Sequence, residues 1–251
     1  VFASDDAERD RPAWLAFARE VNEALDACGY PLCKGNVMAS NPACCLTQAE
    51  WMARFADWID HGAPEDLLNA SIYFDFRPIA GDATLTQSMR EMVSLHAGRN
   101  ARFMKQMAEN SLRNSPALNW RGGIDAQSRD GQEVVDLKLR GTAIYVDAAR
   151  LYALAHGVTA GNTRERFDAV ARLLGVPAQE AEGWVGGFEY LQMLRLQVQL
   201  APDRPPAVVA CDGNPNLVDV AALNDIDRRV LRESLRIARR LQQRIQLDYI
   251  R

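Results

Sequence analysis

The sequence has no apolar run near the length of about 20 residues that a membrane-spanning helix needs. No basic-then-apolar leader opens it, so the cytoplasm is the expected compartment. It has no CxxC pair: its five cysteines, Cys28, Cys33, Cys44, Cys45 and Cys211, are odd in number, and two are adjacent. Such spacing fits neither a disulfide framework nor a zinc ribbon and predicts reduced thiols. His61, His96 and His156 are scattered near glycines, as at helix ends, and lack the spacing of a metal site. Nor is there a basic excess: 29 Lys and Arg against 33 Asp and Glu leave a net charge of -4. That balance argues against nucleic acid as a partner, because phosphate binding by counterion release needs a concentrated basic surface. Small molecules or proteins are the expected partners instead. No repeat or low-complexity tract appears. What is present, 251 residues at 48% hydrophobic and 25% charged, suffices for one large core or two modest ones.

Hydrophobic spacing then divides the chain. Trp14, Leu15, Phe17, Ala18, Val21 and Leu25 predict an amphipathic helix from Pro12 to Cys28, with Asp10 as cap and Gly29 as stop. Before it, Val1-Phe2 running into Asp5-Asp6 reads as the end of a strand whose beginning lies upstream. Residues 30–42 mix turn formers with a short apolar stretch and predict a loop or brief strand. Thr47 with Glu50 three residues on is a capping box for a helix through Trp51, Phe55 and Trp58 to Gly62. After a helical turn at 64–69, the aromatic and β-branched residues 71–78 predict a strand. A helical pattern from Thr84 to Asn114, broken near Gly98, is followed by a hairpin whose turn is Asp130-Gly131. Helices are predicted at 142–156, 163–174 and 178–200, a proline-rich linker around Pro202–Pro215, and a last helix at 225–249. The expected class is mainly α with a small α/β part, the latter ending near Gly81 and followed by a helical bundle.

Three groups of residues could carry chemistry. On the expected strand, Tyr73, Asp75 and Arg77 share the polar face, where a carboxylate could hold Mg²⁺ or could equally be a solvated neighbour. If a strand persists through 136–140, Asp136, Lys138 and Arg140 project together, suited to phosphate or to an ordinary salt-bridged edge. The stretch Lys34-Gly35-Asn36 with Met38, Ser40 and Asn41 offers small groups and backbone amides to a ligand, as does any tight loop. Asp147 and Arg150 have the spacing of a local ion pair. The arginines of the last helix read as a charged face over a core stripe.

The order of these words carries a resemblance over nearly the whole chain. Cys28-Gly29-Tyr30-Pro31-Leu32-Cys33, Gly35 to Pro42, the Trp51 helix, Ala70 to Pro78 with Gly81-Asp82, and Asp136-Leu137-Lys138-Leu139-Arg140-Gly141 resemble a bacterial family of nucleotidyltransferase-like proteins. The family usually sits behind cyclic-nucleotide-binding and CBS modules and is related to protein-PII uridylyltransferase. The resemblance implies the rear of a nucleotidyltransferase domain over 1–82 and a helical substrate-binding domain over 83–251. In the family a Gly-Ser turn and an Asp-x-Asp pair hold two Mg²⁺ under a nucleoside triphosphate; both are absent here and are expected upstream of Val1. The resemblance makes Asp75 the third metal carboxylate and Lys138 and Arg140 contacts to triphosphate or acceptor. It also makes Met38, Ser40 and Asn41 part of the pocket wall, with Tyr73, Arg77 and Asp136 beside the nucleotide. The implied reaction is in-line attack of an acceptor hydroxyl, on a protein or small molecule, at the α-phosphate. The chain alone is expected to be inactive. A non-catalytic nucleotide sensor and a scaffold dimerising through the last helix are the alternatives.

Overall fold

The computed structural model describes residues 1–200 and 214–250. The chain forms two compact units, Val1–His96 and Ala97–Arg251.

In the first unit Phe2 makes an isolated parallel bridge to Thr47, and its ring is buried against Trp14. Helix α1 (Ala7–Ala27) starts five residues before the expected Pro12. Its cap is Asp6, whose carboxylate accepts from the Arg9 N–H, while Asp10 is taken up by Arg9 and Ser4. The helix stops at Gly29, whose φ of +92° suits a residue without a side chain. Residues 30–42 are loop, as predicted. Helix α2 (Gln48–His61) has both halves of its capping box: the Glu50 N–H donates to Thr47 Oγ1 at 3.2 Å, and the Thr47 N–H donates to Glu50 Oε2 at 2.7 Å.

Glu50 also accepts from Arg11 Nη2 at 2.7 Å, which, with the Thr47 amide, pulls its carboxyl down to about 2 from 4.5. A depressed carboxyl stabilises the fold above its unfolded value and loses that contribution as pH falls. The first unit should therefore weaken between about pH 4.5 and 2. Denaturant titrations across that interval should show a shallower pH dependence in Glu50→Gln; an unchanged slope would contradict the assignment.

The strand expected at 71–78 does not form. Pro64 opens a helix instead, α3 (Pro64–Tyr73), and Leu67, Ala70 and Phe74 fall on its buried side at helical spacing. Proline at the first helical position needs no hydrogen-bond partner, and Asp66 accepts the Ala63 N–H. The two-residue alternation was the wrong period: it would put Ile72 on the apolar face with Phe74, yet Ile72 is half exposed while Phe74 is buried. The chain then turns through Phe74 and Asp75, with Phe76 stacked on Phe55 and its carbonyl held by Arg90 of α4 (Ala83–Arg99).

The second unit contains α5 (Ala101–Ser111) after a break at Asn100, whose side chain caps the Phe103 N–H. The break expected near Gly98 thus falls two residues on, and Gly98 itself lets the end of α4 approach the Ala143–Ala155 helix closely: a Cβ there would lie 3.0 Å from the Leu154 carbonyl. The predicted hairpin is β1 (Gln127–Arg129) and β2 (Gln132–Asp136), turned by Asp130 and Gly131, both with positive φ. A third strand, β3 (Leu217–Asp219), pairs antiparallel with β2, giving the order β1-β2-β3. The class is mainly α with a small β part, and among the described residues the paired strands all lie in this unit.

After β2 come a π-helical turn (Lys138–Thr142), α6 (Ala143–Ala155), α7 (Thr163–Leu174) and α8 (Ala178–Gln199), close to the predicted bounds. Helix α6 is the centre of the unit, with Ile144, Tyr145, Leu151 and Tyr152 fully buried. Arg150 pairs with Asp147 at 3.0 Å, as their spacing predicts. The predicted linker falls largely outside the described residues, as does Cys211; the other four cysteines are free. Helix α9 (Asp225–Ile245) buries Leu231, Leu235, Ala238, Leu241 and Ile245 against the bundle, and a π-helical turn (Gln246–Ile250) follows. No described helix is long and apolar enough to cross a membrane.

Candidate substrate-binding site

The sequence-predicted residues fall in both units. In the first, the loop before α2 and the end of α3 meet at a cleft of about 360 Å³ lined by Asn36, Asn41, Cys44, Arg54 and Tyr73 among others. Asn41 braces the loop: its Nδ2 donates to the Asn36 carbonyl at 2.9 Å and its Oδ1 accepts the Ala43 N–H at 3.0 Å. Asn36 itself has φ +54°, a left-handed conformation that asparagine tolerates. Arg54 lies over the Trp51 ring and donates to the Ala43 carbonyl at 2.6 Å. Tyr73 sets its ring among Trp51 and Trp58 and its hydroxyl 3.4 Å from the Cys44 thiol. Burial, and then Cys44, push that hydroxyl up to about 12, so it stays protonated at neutral pH.

Asp75 and Arg77 do not share a strand face with Tyr73. Asp75 is half-buried in the turn after α3, and Arg77 is exposed. Met38 and Ser40 take local roles: the Met38 sulfur accepts the Cys33 N–H, and the Ser40 N–H donates to Asn22 Oδ1 at 3.2 Å. Among the described residues no three His, Cys, Asp or Glu side chains converge as a metal centre. Asp75 is thus one carboxylate, which fits Mg²⁺ only with ligands from elsewhere.

In the second unit Asp136 ends β2. Its Oδ1 accepts the N–H groups of Lys138 and Leu139, both at 2.9 Å, which turns the chain into the π-helical turn rather than onward as strand. Asp136, Lys138 and Arg140 therefore do not lie on one strand face. The Lys138 side chain is exposed, whereas Arg140 donates to Asp125 Oδ2 at 2.7 Å and to the Asp125 carbonyl at 3.0 Å. The second oxygen of Asp136 accepts from Asn214 at 3.3 Å. Asn214 Oδ1 in turn accepts from the Asn216 backbone N–H at 3.0 Å and from Asn216 Nδ2 at 2.9 Å, which fixes that side-chain amide.

The oriented Asn216 oxygen receives Nε and Nη2 of Arg195, at 3.1 and 2.9 Å, from the inner side of α8. The same guanidinium donates to Gln192 Oε1 at 2.6 Å and to Thr142 Oγ1 at 3.3 Å. Burial pulls Arg195 down from its ordinary value and Asp136 raises it; arginine nonetheless stays charged at neutral pH. Its hydrogen bonds to the amide and hydroxyl oxygens of Asn216, Gln192 and Thr142 fix its geometry without cancelling its charge.

Residues 101–249, more than half of the chain, match the family described as "Putative nucleotidyltransferase substrate binding domain". The chain belongs to that family. Residues 1–65 match a second description, "Putative nucleotidyltransferase DUF294", so both matches are to nucleotidyltransferase domains. No curated protein and no solved structure matches the chain.

The family's substrate-binding domain thus spans the whole Asp136–Arg195 network. Sequence reasoning found Asp136 and Lys138 but missed Arg195, Asn214 and Asn216. Two signals were available: an arginine among the apolar residues of α8, and the Asn214-Pro215-Asn216 turn cluster. Neither signal says that the two meet, because 21 residues separate Arg195 from Asn216. The Arg195 guanidinium, fixed and half-buried, lies within reach of the Asp136 charge, and the exposed Lys138 stands on the turn that Asp136 caps. The guanidinium and the ammonium are the groups there that can meet an anion.

Proposed function

We propose that the chain serves nucleotidyl transfer, with its second unit gripping a phosphate-bearing substrate through Arg195 and Lys138. The observation that supports this reading is Arg195, a half-buried cation held by neutral oxygens inside the region matching a substrate-binding domain. Asp136 positions Lys138 through the turn it caps and positions Arg195 through Asn214 and Asn216. In the first unit the cleft around Asn41, Arg54 and Tyr73 serves as a wall of the nucleotide pocket. Arg54 supplies positive charge there, and Tyr73 a neutral hydroxyl.

Asp75 contributes one carboxylate to a Mg²⁺ site completed by an Asp-x-Asp segment. When bound, the metal stabilises the attacking and leaving oxygens of the transfer. The acceptor is a hydroxyl of a protein or small molecule, as the resemblance to protein-PII uridylyltransferase implies, in a cytoplasmic signalling protein governed by upstream sensor modules.

Titration calorimetry of the chain with ATP, UTP and CTP in the presence of Mg²⁺ tests the reading. At least one should bind saturably, Lys138→Ala should weaken it several-fold, and no transfer should occur without the Asp-x-Asp segment. Absence of heat with all three would overturn the reading. Binding that never turns over, even with that segment joined, would favour a nucleotide sensor.

A further inference from the structure

The loop between α5 and β1 presents a tryptophan to solvent on a backbone that is fastened at nearly every point. Leu118 and Ile124 form an antiparallel bridge, and between them the Asn119 N–H donates to the Gly123 carbonyl at 2.9 Å. The Gly122 N–H donates back to the Asn119 carbonyl at 3.1 Å, and the Asn119 side chain accepts the Gly123 N–H at 2.9 Å. Gly122 has φ +78°, which favours glycine at this turn. From α9, Arg239 donates to the carbonyls of Leu118 and Asn119, and Arg236 to that of Gly122. At its base the loop is held by Arg140: the Ala117 N–H donates to the Arg140 carbonyl, and the guanidinium donates to Asp125.

At the tip of this braced loop Trp120 is 84% exposed, while Trp51, Trp58 and Trp184 are buried. The Arg121 guanidinium covers its ring, 4.5 Å from the centroid. A large apolar ring left in water forgoes the stabilisation its burial would give. Bracing the loop beneath it removes the ordering cost that binding would otherwise incur. One ring face is packed by a cation and the other is open. The surroundings are cationic too: Arg239 spends its hydrogen bonds on carbonyls, which do not cancel its charge, and Arg232 and Arg236 share Glu233. An aromatic face beside guanidinium groups complements a ligand that joins a planar base to phosphate.

We propose that Trp120 and Arg121 form a contact site for a nucleotide, the base stacking on the open indole face and a phosphate meeting Arg121. This rests on the reading that the second unit grips a phosphate-bearing substrate; it makes that substrate a nucleotide and assigns its base, rather than only its phosphates, to a place on that unit.

The test uses the whole chain with UTP, ATP and inorganic tripolyphosphate, read by tryptophan fluorescence and calorimetry. Trp120→Phe identifies the part of the emission that comes from Trp120. Nucleoside triphosphate should quench that part saturably. Trp120→Ala should raise the dissociation constant by roughly tenfold for the nucleotides while leaving tripolyphosphate unchanged. Arg121→Gln should weaken both kinds of ligand. Because Trp120 is exposed, circular dichroism should show these variants folded as the parent.

Nucleotide binding equal in parent and Trp120→Ala, with no change in Trp120 emission, would overturn this site and leave the wider reading standing. No nucleotide binding to the parent would overturn both. Quenching of Trp120 by poly-glutamate but not by nucleotide would assign the loop to an acidic protein partner and contradict the proposal.

Discussion

Gly187→Ala should lower the melting temperature of the second unit steeply, while Gly186→Ala, one residue away on α8, should not. A Cβ at Gly187 would sit 2.3 Å from the Tyr145 hydroxyl oxygen and 3.1 Å from its Cζ. Tyr145 cannot yield cheaply. It is fully buried, its ring meets Phe167 edge-on, and its hydroxyl donates to the Ser234 carbonyl at 2.5 Å, joining α6 to α9. Overpacking a core costs about 1–3 kcal/mol, and a buried polar group that loses its partner costs about 1–3 kcal/mol more. At roughly 2–4 °C per kcal/mol for a domain of this size, the drop should be about 5–15 °C. At Gly186 a Cβ meets nothing within 4 Å, so alanine there should gain roughly 0.5–1 kcal/mol from helix propensity. Thermal melts of the two variants, equal in effect, would contradict the packing described for α6, α8 and α9.

Arg195→Met should cost the chain most of its affinity for a nucleoside triphosphate while leaving the fold in place. Methionine keeps much of the length and apolar stem of arginine, so the α8 surface stays filled. It removes a cation whose charge-assisted hydrogen bonds contribute about 1.5–3 kcal/mol, a loss of roughly 10–150-fold in binding. Arg195→Lys should recover only part of this, because a single ammonium cannot bond the Asn216 oxygen through two nitrogens as the guanidinium does. The conservative variant separates a charge role from a merely structural one. If Arg195→Met lowered stability and left binding intact, the network would be a strut between β3 and α8.

Elements with a local cause were legible in the sequence. The Thr47–Glu50 box, the Asp130-Gly131 turn and the amphipathic stripe of α9 each follow from residues within a few positions of one another. The two strands expected at 71–78 and through 136–140 failed because a period-two pattern was preferred over what the neighbouring residues do. The helix expected as a turn at 64–69 runs on through Tyr73 in the first case, and Asp136 captures two amides ahead of it in the second. The same errors scattered the expected strand-face sites. Tyr73 and Asn41 do line one cleft, but through the end of a helix and a braced loop. Arg195 and Asn216 were invisible as a pair because their meeting depends on β3 joining β2, a contact that no short window of sequence contains.

The most direct measurement is nitrogen-15 NMR of the arginine side chains while tripolyphosphate is added. On this account the Arg195 Nε–H resonance moves saturably, the backbone amides of Lys138 and Leu139 move with the same midpoint, and all three stay still in Arg195→Met. Shifts confined to other arginines, with the Arg195 signal unmoved at saturation, would contradict it.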